Sequence, residues 1–450
     1  MATDFLFPVV EPGGDGILPS QEIRNFIDMG YIRTSREILP DQIQPASIDL
    51  RLWTEAYRVR ASFLPGKSTT LKHKATANGM LDGPDGVIDI TRPTRLEPNQ
   101  IYIIPLIESL SLPPDVYGLA NPKSTTGRLD IFTRLITEYG DEFERVQRGY
   151  SGHLYLEVVS RTFPIIVQSG MRLNQLRLGR GKLSPAGDDR LRRLALDDRL
   201  LDEDDSDREA TIDRGLRITV DLSGDESSDI VAYKANPEKK SLYQGIDLNK
   251  IDYYDVAEFW IPIPRVPKRQ LVLERGGFYI LMSKQRVRVP PDLAAELLPY
   301  DSATGEFRVH YAGFLDPGFG YGNNGEVPGT RVVLEVRANE MPVLLEDDQF
   351  VGRLHYYNMA ALPDKIYGGT IGSSYQRQGL ALSKQFRQEK HQRPSFISDS
   401  AAAVEKKTVS PPRQVIPDTG KTESKNEHPV LNLAPSGGSG DLLLNAKGRL

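Results

Sequence analysis

The chain has 450 residues, of which 39% are hydrophobic and 26% charged, so two or three domains and a sizeable core are feasible. Lysine and arginine number 56 against 61 aspartates and glutamates, and the net charge of −5 argues against a globally basic nucleic-acid-binding protein. The absence of cysteine excludes disulfides, iron–sulfur clusters, thiolate zinc sites and a cysteine nucleophile. This composition is typical of a cytoplasmic protein.

The beginning of the chain carries no targeting signal that we recognise. Asp4 and Glu11 lie within the first sixteen residues, which have no basic region and no long apolar run. No uninterrupted apolar stretch approaches the ~18–20 residues that a membrane-spanning helix needs. We therefore expect neither a membrane nor a nucleic acid as a partner.

The first predicted element is a helix over Pro19–Met29, with Ser20 as its N-cap and Ile23 and Phe26 on one face. Short apolar segments between turn signals follow, and such segments are typical of β-strands. They lie at Ser47–Leu52, Gln100–Pro105, Leu154–Val159, Phe163–Gln168, Gly277–Met282, Arg331–Arg337 and Pro342–Leu345. The pattern predicts a mainly β fold with a few short helices.

The sequence contains an internal duplication, because three segments recur in the same order. The matching pairs are Ile101–Asp115 with Phe278–Asp292, Asn121–Leu129 with Pro299–Phe307, and Gly152–Pro164 with Thr330–Pro342. In the third pair, Leu-Glu-Val precedes a proline at the same distance in both copies. The duplication predicts two related β-barrels, at residues 17–185 and 215–384.

Two segments are predicted to lie outside the barrels. Residues 186–214 are dense in aspartate, glutamate and arginine, which predicts a solvated charged connector, with a short salt-bridged helix around Leu191–Leu201 as the alternative. Residues 385–450 are polar and poor in aromatic residues, which predicts a disordered tail.

The usual catalytic motifs are missing from the sequence. None of the six histidines has a second histidine at helical ligand spacing, so the zinc-activated water of many nucleobase deaminases is not available. There is no G-x-x-x-x-G-K-[ST] loop and no G-x-S-x-G turn.

Short polar clusters within β-rich surroundings are the remaining candidates. The turn at Pro122–Arg128 suits a phosphate or is a plain surface turn, and Asp316 lies on a Gly/Pro-framed hairpin as a ligand group or a turn former. Glu157 and Glu335 each lie in an apolar strand, as outward-facing residues or as buried acids with a raised pKa. The Gly-rich segment Tyr367–Lys384 is either a lid or a frayed end.

In combination, these clusters resemble the dCTP deaminase family in a duplicated long form. The resemblance rests on Gln44–Leu52 (QPASIDLRL), the Ser124 and Arg128 turn, Gly152–Glu157, Asp316-Pro317-Gly318 and Tyr375–Ser383 (YQRQGLALS). It implies two tandem distorted barrels of the dUTPase-like superfamily. It also implies zinc-free hydrolysis of dCTP to dUTP and ammonia, which supplies dUTP for thymidylate synthesis.

The resemblance further implies roles for individual residues. Glu335 or Glu157 would carry the proton, Ser124 would orient the water, and Arg128 would stabilise developing charge. The remaining substrate contacts would be Lys123 and Thr125 near phosphate, the Ala312 carbonyl, Asp316 at the 3′-hydroxyl, and Tyr375 and Gln378 closing on the triphosphate. Mg²⁺ would arrive with the nucleotide. The resemblance also implies a homo-oligomer and dTTP as a candidate inhibitor.

The two copies depart from the family pattern in complementary ways. The first has Gln147-Arg148-Gly149 where the family has Asp-Pro-Gly, and the second has Asp301 and Glu306 where the first has Lys123 and Arg128. Each copy thus lacks what the other keeps. We predict one composite site per chain, with the glutamate of the second copy preferred as the base.

Two other functions stay open at this stage. One is a dUTPase or a bifunctional dCTP deaminase and dUTP diphosphatase, which Asp316 and the glycine-rich residues 368–373 would serve. The other is a non-catalytic nucleotide-binding barrel protein, which the missing residues in each copy would explain.

Overall fold

The computed structural model describes residues 14–387, except for residues 78, 198, 203–209, 225–227, 238–243, 299–306, 310–312 and 369–377. The predicted disordered tail, residues 385–450, lies outside the described residues except for its first three residues. For these three the prediction is wrong, because Gln385 and Phe386 are buried. The helices are α1 (Ser20–Asp28), α2 (Leu71–Ala77), α3 (Ser124–Gly127), α4 (Asp188–Leu196) and α5 (Val256–Phe259), with a 3₁₀ turn at Pro40–Gln42.

Strands account for most of the regular structure. In the first half they are β1 (Gly16–Ile17), β2 (Ile32–Thr34), β3 (Ile48–Arg51), β4 (Glu55–Val59), β5 (Val87–Asp89), β6 (Thr94–Leu96), β7 (Ile101–Ser111), β8 (Val116–Pro122), β9 (Ile131–Thr137), β10 (Arg145–Val146), β11 (Ser151–Ser160), β12 (Ile165–Val167) and β13 (Arg172–Arg180). In the second half they are β14 (Leu216–Thr219), β15 (Ile230–Ala235), β16 (Ile246–Asp247), β17 (Trp260–Pro264), β18 (Gln270–Leu273), β19 (Phe278–Val287), β20 (Leu293–Leu297), β21 (Phe307–Val309), β22 (Phe314–Leu315), β23 (Thr330–Ala338), β24 (Val343–Glu346) and β25 (Phe350–Asn358).

The two halves have the same sheet topology. The first half pairs its strands in the orders β3-β13-β8-β10 and β5-β4-β7-β11-β9. The second half pairs the corresponding strands in the orders β14-β25-β20-β22 and β17-β15-β19-β23-β21. Each half is therefore a distorted β-barrel of one design, called here the first and the second barrel. The predicted mainly β fold is confirmed, and all seven segments predicted as strands overlap observed ones.

The hydrophobic core of the first barrel continues into the second. Phe163 packs against Phe259 and Trp260 with ring centroids 5.7 Å apart in both pairs, and Phe386 lies 5.9 Å from Trp260. All four rings are almost fully buried. Because these rings come from both barrels and from the end of the described chain, burying them in one cluster holds the three parts together.

The charged connector is more ordered than the sequence predicted. Helix α4 buries Leu191 and Leu194 in the core of the second barrel, while Arg192 pairs with Asp189 at 2.8 Å on the outside. The two leucines are three residues apart and so lie on one face of the helix. The preferred prediction of a solvated connector is wrong for this helix, because the apolar stripe is narrow and lies among many charges. The alternative of a short salt-bridged helix is confirmed.

Helix α1 forms where it was predicted, but its first turn differs. Ile23 and Phe26 are buried as expected. Pro19 takes the N-cap position, and the Ser20 hydroxyl bonds the carboxylate of Asp364 instead of capping the helix. In the part of the chain that the structure describes, no helix is both long and apolar enough to cross a membrane.

A buried ion pair joins the two barrels. Arg337 in β23 donates to the carboxylate of Asp130 and, over 2.8 Å, to the hydroxyl of Thr162. The Arg337 and Asp130 side chains are 9% and 1% exposed. Asp130 lies two residues after Arg128 of the Ser124–Arg128 turn, and Arg337 lies two residues after Glu335. The pair therefore holds that turn against the strand that carries Glu335.

Replacing Arg337 should destabilise the protein strongly. The substitution Arg337→Met removes one half of a buried ion pair, which costs about 3–5 kcal/mol in the free energy of unfolding. Chemical denaturation measures this loss. The control Arg265→Met removes an exposed pair with Asp229 and should cost about 1 kcal/mol or less. Equally small losses in both variants would contradict the assigned role of the buried pair.

Candidate active site

A cavity of about 660 Å³ lies between the two barrels. Its lining includes Asp49, Lys123, Ser124, Thr125, Arg128 and Arg172 from the first barrel, Asp316 and Glu335 from the second, and Gln378 and Lys384 from residues 378–387, which we call the C-terminal segment. The structure thus brings most of the predicted site residues to one cavity. Ala312 and Tyr375 lie outside the described residues.

The Ser124 and Arg128 turn is a single helical turn at the end of β8. The backbone N–H of Arg128 donates to the carbonyl of Ser124 over 3.1 Å, which places the two side chains four residues apart on one face. The N–H of Lys123 donates to the carbonyl of Leu173 over 3.0 Å and so ties the turn to β13. The hydroxyl and the guanidinium are therefore presented together by a short, well-anchored element.

Glu335 meets this turn from the other barrel. It lies in β23 opposite Ile280, and its Oε1 is 3.9 Å from the Nε of Arg128. The two side chains are 6% and 3% exposed. Burial raises the pKa of Glu335 to about 8, against the opposing effect of the Arg128 charge. A carboxyl group in this state can both take up and release a proton near neutral pH, as a general base and acid must.

Glu157 occupies the equivalent strand of the first barrel but has different surroundings. Its Oε1 accepts from both Nε and Nη2 of Arg134, at 2.9 and 2.5 Å. The Arg134 guanidinium also stacks on Phe143, 3.6 Å from the ring centroid. Glu157 does not line the cavity described above. The structure therefore groups Glu335, and not Glu157, with Ser124 and Arg128.

Cations gather at another part of the cavity wall. Lys123 and Arg172 approach Oδ2 of Asp49 at 2.5 and 3.6 Å, and Arg172 also binds Asp41 at 2.8 Å. Burial lowers the pKa of Lys384, and the charges of Lys123 and Arg172 lower it further. Three cations thus face two carboxylates, which suits a polyanion. Arg172 and Lys384 were not foreseen, because they are far from Lys123 in the sequence.

Asp316 lies just after β22 and borders the cavity. Burial raises the pKa of its carboxyl group, and the charge of Arg177 opposes this rise. The nearest guanidinium nitrogen of Arg177 is 3.3 Å from Oδ1 of Asp316. The hairpin glycine that follows, Gly318, has a φ of +93°, and a Cβ there would approach Ile366 to 2.9 Å. Glycine is therefore required to place Asp316 on this turn.

The C-terminal segment packs on the Ser124 and Arg128 turn. Arg128 donates to Oε1 of Gln378 over 2.9 Å and to the carbonyl of Ala381 over 3.2 Å. The hydroxyl of Ser383 donates to the carbonyl of Thr125 over 3.0 Å. Gln378, for which the resemblance implied a triphosphate contact, here orients the guanidinium. Ser383 and Ala381 were not singled out in the sequence, since a hydroxyl and a carbonyl carry no motif.

Metal ligands do not cluster in the described part of the chain. No group of three or more histidine, aspartate or glutamate side chains there is arranged to hold a metal ion.

The two barrels and the polar cavity between them define a protein of the dUTPase-like class. Comparison with known families agrees and goes further. Residues 14–182 match the 2′-deoxycytidine 5′-triphosphate deaminase (DCD) N-terminal domain, and residues 187–386 match the C-terminal domain of the same family. The chain belongs to the dCTP deaminase family.

Individual relatives support this assignment. A dUMP-forming dCTP deaminase of Streptomyces avermitilis is 30% identical over 178 residues, which is 39% of this chain and 86% of the relative. A dUMP-forming dCTP deaminase of Thermobifida fusca is 29% identical over 163 residues, 36% of this chain and 76% of the relative. The crystal structure of 2′-deoxycytidine 5′-triphosphate deaminase from Agrobacterium tumefaciens matches with a TM-score of 0.70 and 41% identity, over 77% of this chain and 99% of that one.

The raised pKa of Glu335 predicts a specific pH dependence of stability. Between its ordinary value of 4.5 and about 8, the folded protein binds this proton more tightly than the unfolded chain does. The free energy of unfolding should therefore fall as pH rises through this window. Glu335→Gln removes this contribution, so its Tm should exceed that of the wild type by several degrees at about pH 8.5 and by less at about pH 5.

Thermal melts at the two pH values test this prediction. Glu142→Gln, at a side chain that is 64% exposed, is the control and should show no such trend. If the Tm difference between Glu335→Gln and the wild type is independent of pH, Glu335 is not a buried acid of this kind.

Proposed function

We propose that the protein hydrolyses dCTP to dUTP and ammonia at one composite site per chain. The observation that carries the proposal is the meeting of Glu335 with Arg128 and Ser124 across the cavity between the barrels. Membership of the dCTP deaminase family supports the same substrate. Neither barrel alone supplies this set of groups, so the proposed site requires both.

In the proposed reaction Glu335 moves the protons. As a carboxylate it takes a proton from the water that attacks C4 of cytosine, and the proton passes to N3 of the ring. Glu335 then moves the remaining proton of the added hydroxyl group to the amino group. The C4–N bond breaks, ammonia leaves and the C4 carbonyl of the uracil ring forms. Arg128 stabilises the negative charge on Glu335, and Ser124, together with the carbonyl of Ala312, orients the water. We propose that no zinc takes part, because the chain has no cysteine and a buried glutamate can activate the water.

The triphosphate and the sugar would bind to the charged side chains that line the cavity. Lys123, Arg172 and Lys384 would bind the triphosphate of the magnesium–nucleotide complex, with Thr125 beside it. The family resemblance adds Tyr375 as a further triphosphate contact. Asp316 would accept a hydrogen bond from the 3′-hydroxyl of the sugar.

Substitution of the two glutamates tests the assignment. Glu335→Gln keeps the size of the side chain but cannot accept a proton, so we expect kcat for dCTP deamination to fall at least about 1,000-fold. Glu157→Gln should keep kcat within about threefold, because Glu157 pairs with Arg134 away from the cavity. Ammonia release measures both. Loss of activity in Glu157→Gln with retention in Glu335→Gln would overturn the assignment.

A second candidate is further hydrolysis of dUTP to dUMP and pyrophosphate. The dUMP-forming relatives favour it. So does Asp49, which is 2% exposed and lies among the cations, and whose Oδ1 has no hydrogen-bond partner within the described residues. Such an oxygen could hold a water molecule for attack on phosphorus.

Product analysis after incubation with dCTP and Mg²⁺ separates these candidates. Accumulation of dUTP supports the first proposal, and accumulation of dUMP with pyrophosphate supports the second. If dUMP forms, Asp49→Asn should shift the product to dUTP while ammonia release continues. Equilibrium binding of one dCTP per chain without any turnover would instead indicate a non-catalytic binding protein.

A further inference from the structure

We propose that Arg177 of the first barrel is a positioning residue for Asp316 of the second, and that it thereby determines the preference for nucleotides with a 3′-hydroxyl. The inference rests on the proposed function, in which Asp316 contacts that hydroxyl. Arg177 does not line the cavity, so it would act only through the carboxylate.

The polar and ring contacts of the Arg177 side chain cross the interface between the barrels. Its side chain leaves β13 and is 1% exposed. One terminal nitrogen lies 3.3 Å from Oδ1 of Asp316, and the other donates to the carbonyl of Ala295 over 3.2 Å. The guanidinium stacks on Phe314 with its central carbon 3.9 Å from the ring centroid. These three contacts fix the guanidinium against β20, β22 and the start of the hairpin that carries Asp316.

Burying the Arg177 guanidinium has a high desolvation cost, which a purely structural contact would not require. A buried cation loses its hydration and recovers that loss only with good pairing. Here the pairing is incomplete, because Nε of Arg177 has no hydrogen-bond partner within the described residues. A hydrophobic side chain would fill the same space at less cost. The charge of Arg177 acts on two carboxylates, Asp316 and Glu296. Of these two, Asp316 lines the cavity and Glu296 does not, so the charge points to a role for Asp316.

The electrostatic effect of Arg177 on Asp316 explains that role. Asp316 is 9% exposed, and a buried carboxyl group tends to be neutral. The adjacent cation favours the ionised form, and an ionised acceptor makes a shorter and stronger hydrogen bond than a neutral one. Arg177 would thus keep Asp316 in the state and place in which it holds the sugar hydroxyl best.

The test compares dCTP with its 2′,3′-dideoxy analogue, which lacks the hydroxyl. We expect Arg177→Met to raise KM for dCTP about 10- to 100-fold, the usual range for a lost hydrogen bond to a charged group. Its kcat for dCTP and its KM for the analogue should each change by less than about threefold. Asp316→Asn should reproduce this pattern, and the double variant should show no further loss.

The control is Arg353→Met. Arg353 is also a buried arginine, 3% exposed, paired with Asp213 at 2.9 Å and absent from the cavity lining. The substitution Arg353→Met should leave the preference for dCTP over the analogue unchanged even if Tm falls. Equal effects of Arg177→Met on both nucleotides, or additive effects in the double variant, would overturn the inference.

Two further measurements keep the test decisive. If Arg177→Met does not fold, Arg177→Lys replaces it, because it keeps the charge without the guanidinium and should retain part of the preference for dCTP over the analogue. A complete loss of this preference with an unchanged Tm supports positioning by the guanidinium. A fully retained preference contradicts it. If the wild type does not deaminate dCTP, the proposed function fails, and equilibrium binding of the two nucleotides then tests Arg177 by itself.

Discussion

The site depends on holding a carboxyl group and a guanidinium close together and shielded from water at the boundary of the two barrels. Glu335 and Arg128 are both nearly inaccessible, and at 3.9 Å they influence each other without being locked in a bidentate pair. A tighter pair would hold the glutamate ionised, and a more distant arginine would leave it neutral. The buried contact between Arg337 and Asp130 maintains this spacing, since it joins the same turn to the same strand.

The internal duplication shows how one fold gives the same residue two different properties. Glu157 and Glu335 occupy corresponding strands, and both are flanked by leucine and valine. Across the sheet from Glu157 lies Arg134, which binds it directly. Glu335 has no such bond to Arg128 and borders a cavity instead. The difference therefore comes from the neighbouring strands and not from the strand that carries the glutamate.

The sequence was sufficient for the architecture and for part of the site. Regular apolar strands and the repeated segments predicted two barrels, because sheet pairing follows from hydrophobic pattern and turn positions. Ser124 and Arg128 could be assigned because the turn that carries them matches a motif of the family that the sequence resembles. Arg172, Lys384 and Arg177 were not, since their significance comes from contacts between distant strands. The connector helix was predicted only as the alternative, because two leucines among many charges give a weak signal.

The covalent link between the barrels makes the assembly of the site an intramolecular event. Among the described residues, the groups from both barrels and from the C-terminal segment belong to a single polypeptide. Their encounter is intramolecular, so it is governed by an effective concentration and not by how much protein is present. Dilution should therefore leave this set of groups assembled, whether or not the chain associates with other copies.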